Sequence, residues 1–459
     1  MPSICYDAWL MIETISDLTR FQLENQQGAW IVHSVPIPDS HPATAQPSIL
    51  FIRNILTGKT YYYAFHHPDS KPSVDPEMIR SILQMPNIKW ALDKKAFDQC
   101  YWRVPNVYDV NALSWMRTNE IFEASEYETP AHYLIQKNAS GHDGMNLIIP
   151  LMKHKEMFDA LADDLAEVVK DFEPDLAFTR FNDLIIGTLG DLEKQGICVD
   201  RELFKARYKQ DPGITGITYS QYNVYTSTGR PSNRYGGVNY AALNHDDGTR
   251  KCFISRYGEN GAIVVLDYTA FHPRIISRLV KYDVPIAIDI YGYLAKLYFN
   301  KKTVDETDIK EAKAITFRQF YGGIENKYSH IKYLASIKDF MAEQWEHYQS
   351  KGYVLTPFFK RQITSKHISD PDPPKVFNYI LQAVEGELSI PKVKAVLDYL
   401  RGHKTLAVLY TYDAVMFDYY KPEGMEILRD IQNIMSFDGR FPMKAYMGET
   451  YQDVKQIQI

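Results

Sequence analysis

Two aspartates, Asp267 and Asp413, each stand just after an apolar run of β-forming residues, Ala262–Leu266 and Leu406–Tyr410, and a series of Lys313, Phe317 and Tyr321 falls between them. Carboxylates delivered from the ends of two strands suit a chemistry in which two divalent ions, about 3.5–4 Å apart, activate a hydroxyl and steady a leaving phosphate. A lone aspartate at a strand end is usually a turn or cap residue, so order and spacing carry the inference. Lys313, Phe317 and Tyr321 recur at i, i+4 and i+8, which in a helix sets a cation, a flat ring and a phenol along one face, and Gly322-Gly323 supplies the stop. That face suits a nucleoside triphosphate, the ammonium meeting phosphate oxygens and the aromatics packing on base and sugar. Taken alone, the same helix reads as amphipathic, with two core aromatics and a snorkelling lysine.

These residues resemble those of the family A DNA polymerases, the group of bacterial DNA polymerase I and many phage replicases. Asp267-Tyr268-Thr269-Ala270-Phe271-His272-Pro273-Arg274 is similar to the first palm motif, Asp-Tyr-Ser-Gln-Ile-Glu-Leu-Arg, with Asp, Tyr and Arg in register. Lys313 to Phe317, continuing to Tyr321-Gly322, resembles the fingers helix, and Tyr412-Asp413-Ala414 stands where the family has His-Asp-Glu. Thr228-Gly229-Arg230, Asp289-Ile290-Tyr291, Gly352-Tyr353-Val354, the Asn378/Gln382 pair and Met447-Gly448-Glu449 fit the same pattern, so the resemblance runs from about residue 180 onward. It implies that Asp267 and Asp413 are the catalytic pair holding two Mg²⁺ ions, with Mn²⁺ as a substitute. It also implies that Lys313 and Lys310 bind the triphosphate, that Phe317, Tyr321, His272 and Tyr268 surround the nucleotide, and that Arg230, Arg274, Asn378 and Gln382 contact primer-template DNA. Against this, Arg230 and Arg274 also read as palm salt-bridge residues, and Tyr268 and Phe271 as core aromatics.

The departures are as informative. His272 replaces the glutamate that screens the sugar 2′ position in the family, Ile309 replaces an arginine expected four residues before Lys313, and Ala414 replaces the glutamate after the second aspartate. The expectation is a working polymerase with less exacting sugar selection.

The resemblance also implies the elements that position these residues, in an α/β and α+β multidomain fold: an exonuclease-like (ribonuclease H-like) α/β domain over 1–150, a helical connection and thumb remnant over 151–227, palm over 228–275 and 346–459, and helical fingers over 276–345. Trp30–Val35, Ser48–Arg53 and Lys59–Phe65 read as strands of the first domain, with a Pro-rich loop over Pro36–Pro47. A nuclease needs an Asp-x-Glu at the end of the first strand, but His33-Ser34-Val35 stands there, so Asp98 and Asp143 alone predict a domain without nuclease activity. Met157, Phe158, Leu161, Leu165 and Val168 mark a helix before a stop near Gly196. Only Arg201–Ser227 separate the Gly196–Asp200 segment from Thr228-Gly229-Arg230, too few residues for two long thumb helices at about 1.5 Å per residue. Residues 262–266, 406–410 and 415–419 predict an antiparallel palm sheet with Tyr412-Asp413 at a hairpin turn, and the Asp370–Pro374 loop precedes a Val376–Leu388 helix.

Composition adds constraints. A chain of 459 residues with 45% hydrophobic and 13% aromatic content can bury several cores. The formal charge of −6 is unusual for a nucleic-acid binder, because phosphate neutralisation supplies most non-specific affinity. With the short thumb, it predicts dependence on a processivity partner protein or on self-association. Cys5, Cys100, Cys198 and Cys252 have no paired spacing, which argues against a zinc site and a disulfide framework. No apolar run approaches the roughly 18 residues of a membrane span and no signal peptide is legible, which points to the cytoplasm, of a host cell if the trimmed architecture is viral. A catalytically silent, polymerase-like DNA-binding or scaffold protein is the alternative, supported by the number of lost residues. RNA synthesis differs from DNA synthesis only at the sugar gate.

Overall fold

The computed structural model describes residues 9–37, 41–70, 72–101, 103–122, 133–137 and 143–459. Cys5 lies outside the described residues, as does the side chain of Asp143. The chain forms two compact units, one of residues 1–115 and 120–190 and one of residues 116–119 and 191–459.

The first unit is built on a mixed six-stranded sheet: β1 (Leu10–Met11), β2 (Trp30–Ile37), β3 (Gln46–Asn54), β4 (Thr60–Ala64), β5 (Lys89–Ala91) and β6 (Val107–Asp109), in the order β1-β4-β3-β2-β5-β6. β2, β3 and β4 pair antiparallel, whereas β5 and β6 join parallel. The Pro-rich stretch is less of a loop than its composition predicts. Pairing of β2 with β3 continues past a bulge to Pro36 and Pro47, which lie opposite each other. Phe21, Trp30, Val32 and Tyr61 are almost fully buried in the core on one face. The helix over Leu151–Val169 covers the other face, with Phe158 stacked on Phe51 at 4.9 Å. Leu176–Phe181 passes into a π-helical turn, Asn182–Gly187, where buried Asn182 accepts from Asp109 N at 3.0 Å and donates to Val107 O at 2.8 Å. The extra residue per turn thus meets the orphan backbone at the end of β6.

The second unit holds a five-stranded antiparallel sheet of β7 (Gly261–Tyr268), β8 (Leu406–Thr411), β9 (Ala414–Tyr420), β10 (Met443–Gly448) and β11 (Lys455–Ile457), ordered β8-β9-β7-β10-β11. Its helices include α1 (Phe271–Leu279), α2 (Ile290–Phe299), α3 (Glu306–Gly322), α4 (Lys332–Lys351), α5 (Pro373–Tyr399) and α6 (Met425–Met435). β7 is buried along almost its whole length, as its unbroken Ala-Ile-Val-Val-Leu run requires of a central strand. α3 starts with a capping box, Asp305 with Asp308, and stops at Gly323, whose φ of 92° a residue with a side chain rarely adopts. α5 is longer than the Val376–Leu388 helix predicted from sequence because it runs through Pro391, which removes one helical hydrogen bond without ending the helix. Between Arg201 and Ser227 the structure contains one helix, Arg201–Tyr208, and the two-residue strands Ile217–Thr218 and Tyr222–Asn223.

Candidate active site

The two aspartates come together because β7 and the β8–β9 hairpin are neighbours. Asp267 lies opposite Ala414, and Tyr268 N donates to Asp413 O at 2.9 Å. The backbone is strained beside each carboxylate: Tyr412, in the two-residue hairpin turn, has φ 69°, and Ala270, the cap of α1, has φ 52°. Left-handed conformations at residues with a Cβ are sparse and concentrate where a fold over-determines a turn. Here one turns the chain just before Asp413 and the other turns it shortly after Asp267.

Two cavities meet at Asp267. One, of about 600 Å³, is bordered by Asp267, Asp289, Tyr291, Ile309, Lys313 and Lys444, among others. The other, of about 420 Å³, is bordered by Asp267, Tyr412, Asp413, His245, Arg250 and Tyr451, among others. Burial first, and then the Asp413 carboxylate, push the Asp267 pKa up to about 6, against the pull of Lys444 and Lys313. Asp413 is reached by solvent at the hairpin turn, but crowding by protein and then the Glu385 charge raise its pKa too. Two oxygen donors that repel each other at one cavity suit a hard divalent cation, which relieves both the repulsion and the desolvation. Among the described residues, no group of three or more His, Cys, Asp or Glu forms a metal cluster.

The helical face of Lys313, Phe317 and Tyr321 is present as read from spacing. The Phe317 and Tyr321 rings stack at 5.9 Å and 2° between planes, Tyr291 lies 6.3 Å from Phe317, and Lys313 Nζ is 5.7 Å from the Tyr291 ring. The Tyr321 hydroxyl then meets His272 Nδ1 at 2.8 Å. Lys310 is exposed and borders neither cavity.

A residue that sequence reasoning missed continues this chain. Glu385 on α5, 1% exposed, places Oε1 3.3 Å from His272 Nε2 and Oε2 2.9 Å from Arg230 Nε. The Arg230 guanidinium also lies over the Tyr412 ring, 3.7 Å from its centre. Glu385 is anchored through its own turn: Ser389 Oγ lies 2.7 Å from Glu385 O and 2.7 Å from the Tyr410 hydroxyl on β8. A signal was available, since Asn378, Gln382 and Glu385 fall at i, i+4 and i+7, a polar stripe on a helix that is otherwise largely buried. Asn378 and Gln382 are half-buried on that stripe, and among the described residues no group hydrogen-bonds Asn378 Oδ1.

Two residues depart from their expected roles. The Tyr268 side chain packs into the core: it is buried, its hydroxyl donates to Met435 O at 2.6 Å, and it stacks on Phe271 at 4.1 Å. An aromatic after a strand-terminal Asp is equally good core, and the space under α6 claims it. Arg274 is 6% exposed and donates to Ile286 O at 3.2 Å and Ile288 O at 3.0 Å, so it secures the loop before α2 rather than reaching out to DNA. In the first unit, Asp98 pairs with Lys94 and Ser34 Oγ donates to the Tyr101 hydroxyl at 3.2 Å, while the Asp109 carboxylate caps Lys94 N and Ala112 N, each at 2.7 Å.

No family model and no curated protein matches the chain. Among solved structures, the polymerase domain of Pol1 from M. smegmatis, in a complex with DNA primer-template and dNTP, superposes with a TM-score of 0.74 over 97% of this chain and 100% of the other, at 14% identity. The chain therefore has a polymerase-domain-like fold. No helix of the described residues is long and apolar enough to cross a membrane.

Proposed function

We propose that the chain is a template-directed DNA polymerase of the family A type, a DNA-directed nucleotidyltransferase that extends a primer 3′ end with deoxynucleotides. The observation that carries this reading is the pairing of β7 with the β8–β9 hairpin, which brings Asp267 and Asp413 together beside the cavity bordered by Lys313. In the reaction, the primer 3′ oxygen attacks the α-phosphorus as it loses its proton, and the bond to the β-phosphate oxygen breaks, its electron pair leaving with pyrophosphate. Asp267 and Asp413 would hold two Mg²⁺ ions, or Mn²⁺, which when bound neutralise charge developing on the transferring phosphate.

The chain's own groups supply position. Lys313 draws the triphosphate into the cavity as a point charge. Phe317 and Tyr321 form a flat wall for the nascent pair, and the Glu385–His272–Tyr321 series fixes the height of that wall. Arg230, clamped between Glu385 and Tyr412, faces the primer-template with Asn378 and Gln382. Most of the rate enhancement then comes from orientation and from fixed charge.

The first unit is proposed as a degenerate exonuclease domain retained for structure, because Ser34, Asp98 and Asp109 are engaged with protein groups and His33-Ser34 replaces the acidic pair. The single eight-residue helix within Arg201–Ser227 and the net charge of −6 support a reduced thumb and a need for a processivity partner or self-association. Its place would be the cytoplasm, of a host cell if the chain is viral.

The test is extension of a labelled primer on a DNA template with Mg²⁺ and dNTPs at low salt, wild type against Asp413→Ala. Extension by wild type alone supports the reading. No extension by either protein, with Mn²⁺ and excess enzyme, and no metal-dependent dNTP binding sensitive to Asp267→Ala, favours the silent scaffold.

A further inference from the structure

Lys444 on β10 lies directly opposite Asp267 on β7, so a row Lys444–Asp267–Ala414 crosses three strands of the sheet. Directly opposed residues of antiparallel strands project from the same face with Cβ atoms about 4.5–5.5 Å apart. Lys444 therefore presents its side chain to the face that carries the aspartate. It borders the 600 Å³ cavity together with Lys313, and it is exposed. Its ammonium makes no hydrogen bond or ion pair among the described residues, although its charge acts on Asp267 through space.

The cation inventory of that cavity makes the position meaningful. Arg274 borders it but spends its guanidinium on the carbonyls of Ile286 and Ile288. On α3, one turn before Lys313, Ile309 contributes only an apolar side chain to the wall, and Lys310 points elsewhere. A triphosphate carries several negative charges, and α3 offers the cavity one ammonium. We propose that Lys444 is the second triphosphate-binding cation of this site, supplied by the sheet instead of the helix, and that it engages the β- and γ-phosphates and then the departing pyrophosphate. This rests on the polymerase reading above.

The competing role is local: Lys444 could merely offset the charge of Asp267. The two separate on inorganic pyrophosphate. Primer extension by wild type, Lys444→Met and Lys444→Arg is measured for the dNTP KM and for inhibition by added pyrophosphate, alongside Mg²⁺ binding to each protein without nucleotide. A lost charge-assisted contact predicts that Lys444→Met raises both the KM and the pyrophosphate inhibition constant by about tenfold or more, with Lys444→Arg within about threefold of wild type. The side chain is exposed, so the thermal midpoint stays near that of wild type. Unchanged KM and pyrophosphate inhibition in Lys444→Met, with or without tighter Mg²⁺ binding, would overturn the proposal and leave the polymerase reading standing. A wild type that neither extends primers nor binds dNTP overturns both.

Discussion

Glu385 Oε1 lies 3.3 Å from His272 Nε2, and the other oxygen of the same carboxylate lies 2.9 Å from Arg230 Nε. One buried acid thus links the ring that holds Tyr321 to the guanidinium that covers Tyr412. Removing one partner from a buried ionic cluster costs more than the cluster is worth, because the remaining charge is stranded. Glu385→Ala is expected to lower stability by about 2–3 kcal/mol, the partial exposure of Arg230 moderating the cost. Glu385→Gln keeps the shape and should recover at least half of that. Urea unfolding of both variants measures it, and an alanine variant as stable as wild type would remove the linking role.

The aspartate pair makes a prediction with opposite signs for stability and activity. Burial and neighbouring negative charge raise the pKa of both groups, so their ionisation at neutral pH works against the fold. Asp413→Asn is expected to gain about 0.5 kcal/mol, a small figure because solvent screens the hairpin turn, and to lose extension activity by about 10³-fold or more. Mg²⁺ should raise the thermal midpoint of wild type and not of the variant. Calorimetry with and without Mg²⁺ decides; equal shifts in the two proteins would place the metal elsewhere.

In the proposed polymerase, the 2.8 Å contact between Tyr321 and His272 Nδ1 would set the wall nearest the sugar. Tyr321→Phe keeps the stacked ring and removes the contact. One hydrogen bond of ordinary strength corresponds to about a two- to tenfold effect, and the loss should appear as poorer discrimination between ribo- and deoxyribonucleotides with little change in dNTP kcat/KM. Single-nucleotide incorporation with each substrate reports it. An unaltered ratio would move sugar selection to another group.

A pH effect on stability comes from Glu387, whose carboxyl burial pushes up to about 7 against the opposing pull of Thr356, Arg361 and the backbone N–H groups of Phe358 and Phe359. A carboxyl with a raised folded-state pKa binds its proton more tightly in the folded chain, so it stabilises at low pH. That contribution is complete below the unfolded value of 4.5 and is lost as pH rises through about 7. Wild type should lose about 2–3 kcal/mol more than Glu387→Gln between pH 5 and pH 7.5. Parallel stability profiles for the two proteins would show that Glu387 titrates normally.

Much of the second unit was legible because its signals are local. The apolar run before Asp267, the run before Tyr412, and the four-residue spacing from Lys313 to Tyr321 each specify an element without help from distant sequence. Glu385 was not legible in the same way. Its neighbours in sequence are apolar, and its partners His272 and Arg230 are remote in the chain, so only the folded packing of α5 shows that one carboxylate serves both. Lys444 is the same case in a sheet: register, not composition, sets it opposite Asp267. Tyr268 and Arg274 fail in the other direction. Residue types that serve a site equally serve a core, and the nearby carbonyls of Met435, Ile286 and Ile288 took them.

The central strand β7 is flanked on one side by β9 and on the other by β10, both drawn from the last part of the chain. During synthesis, therefore, the ribosome must pass Ala414 before Asp267 acquires either neighbour. Such distant pairings are slow to form, since loop closure must be achieved before the contacts return any energy. A growing or prematurely ended chain would carry helix α3 long before it carried Asp413, and so would hold one half of the proposed site with no sheet to seat it.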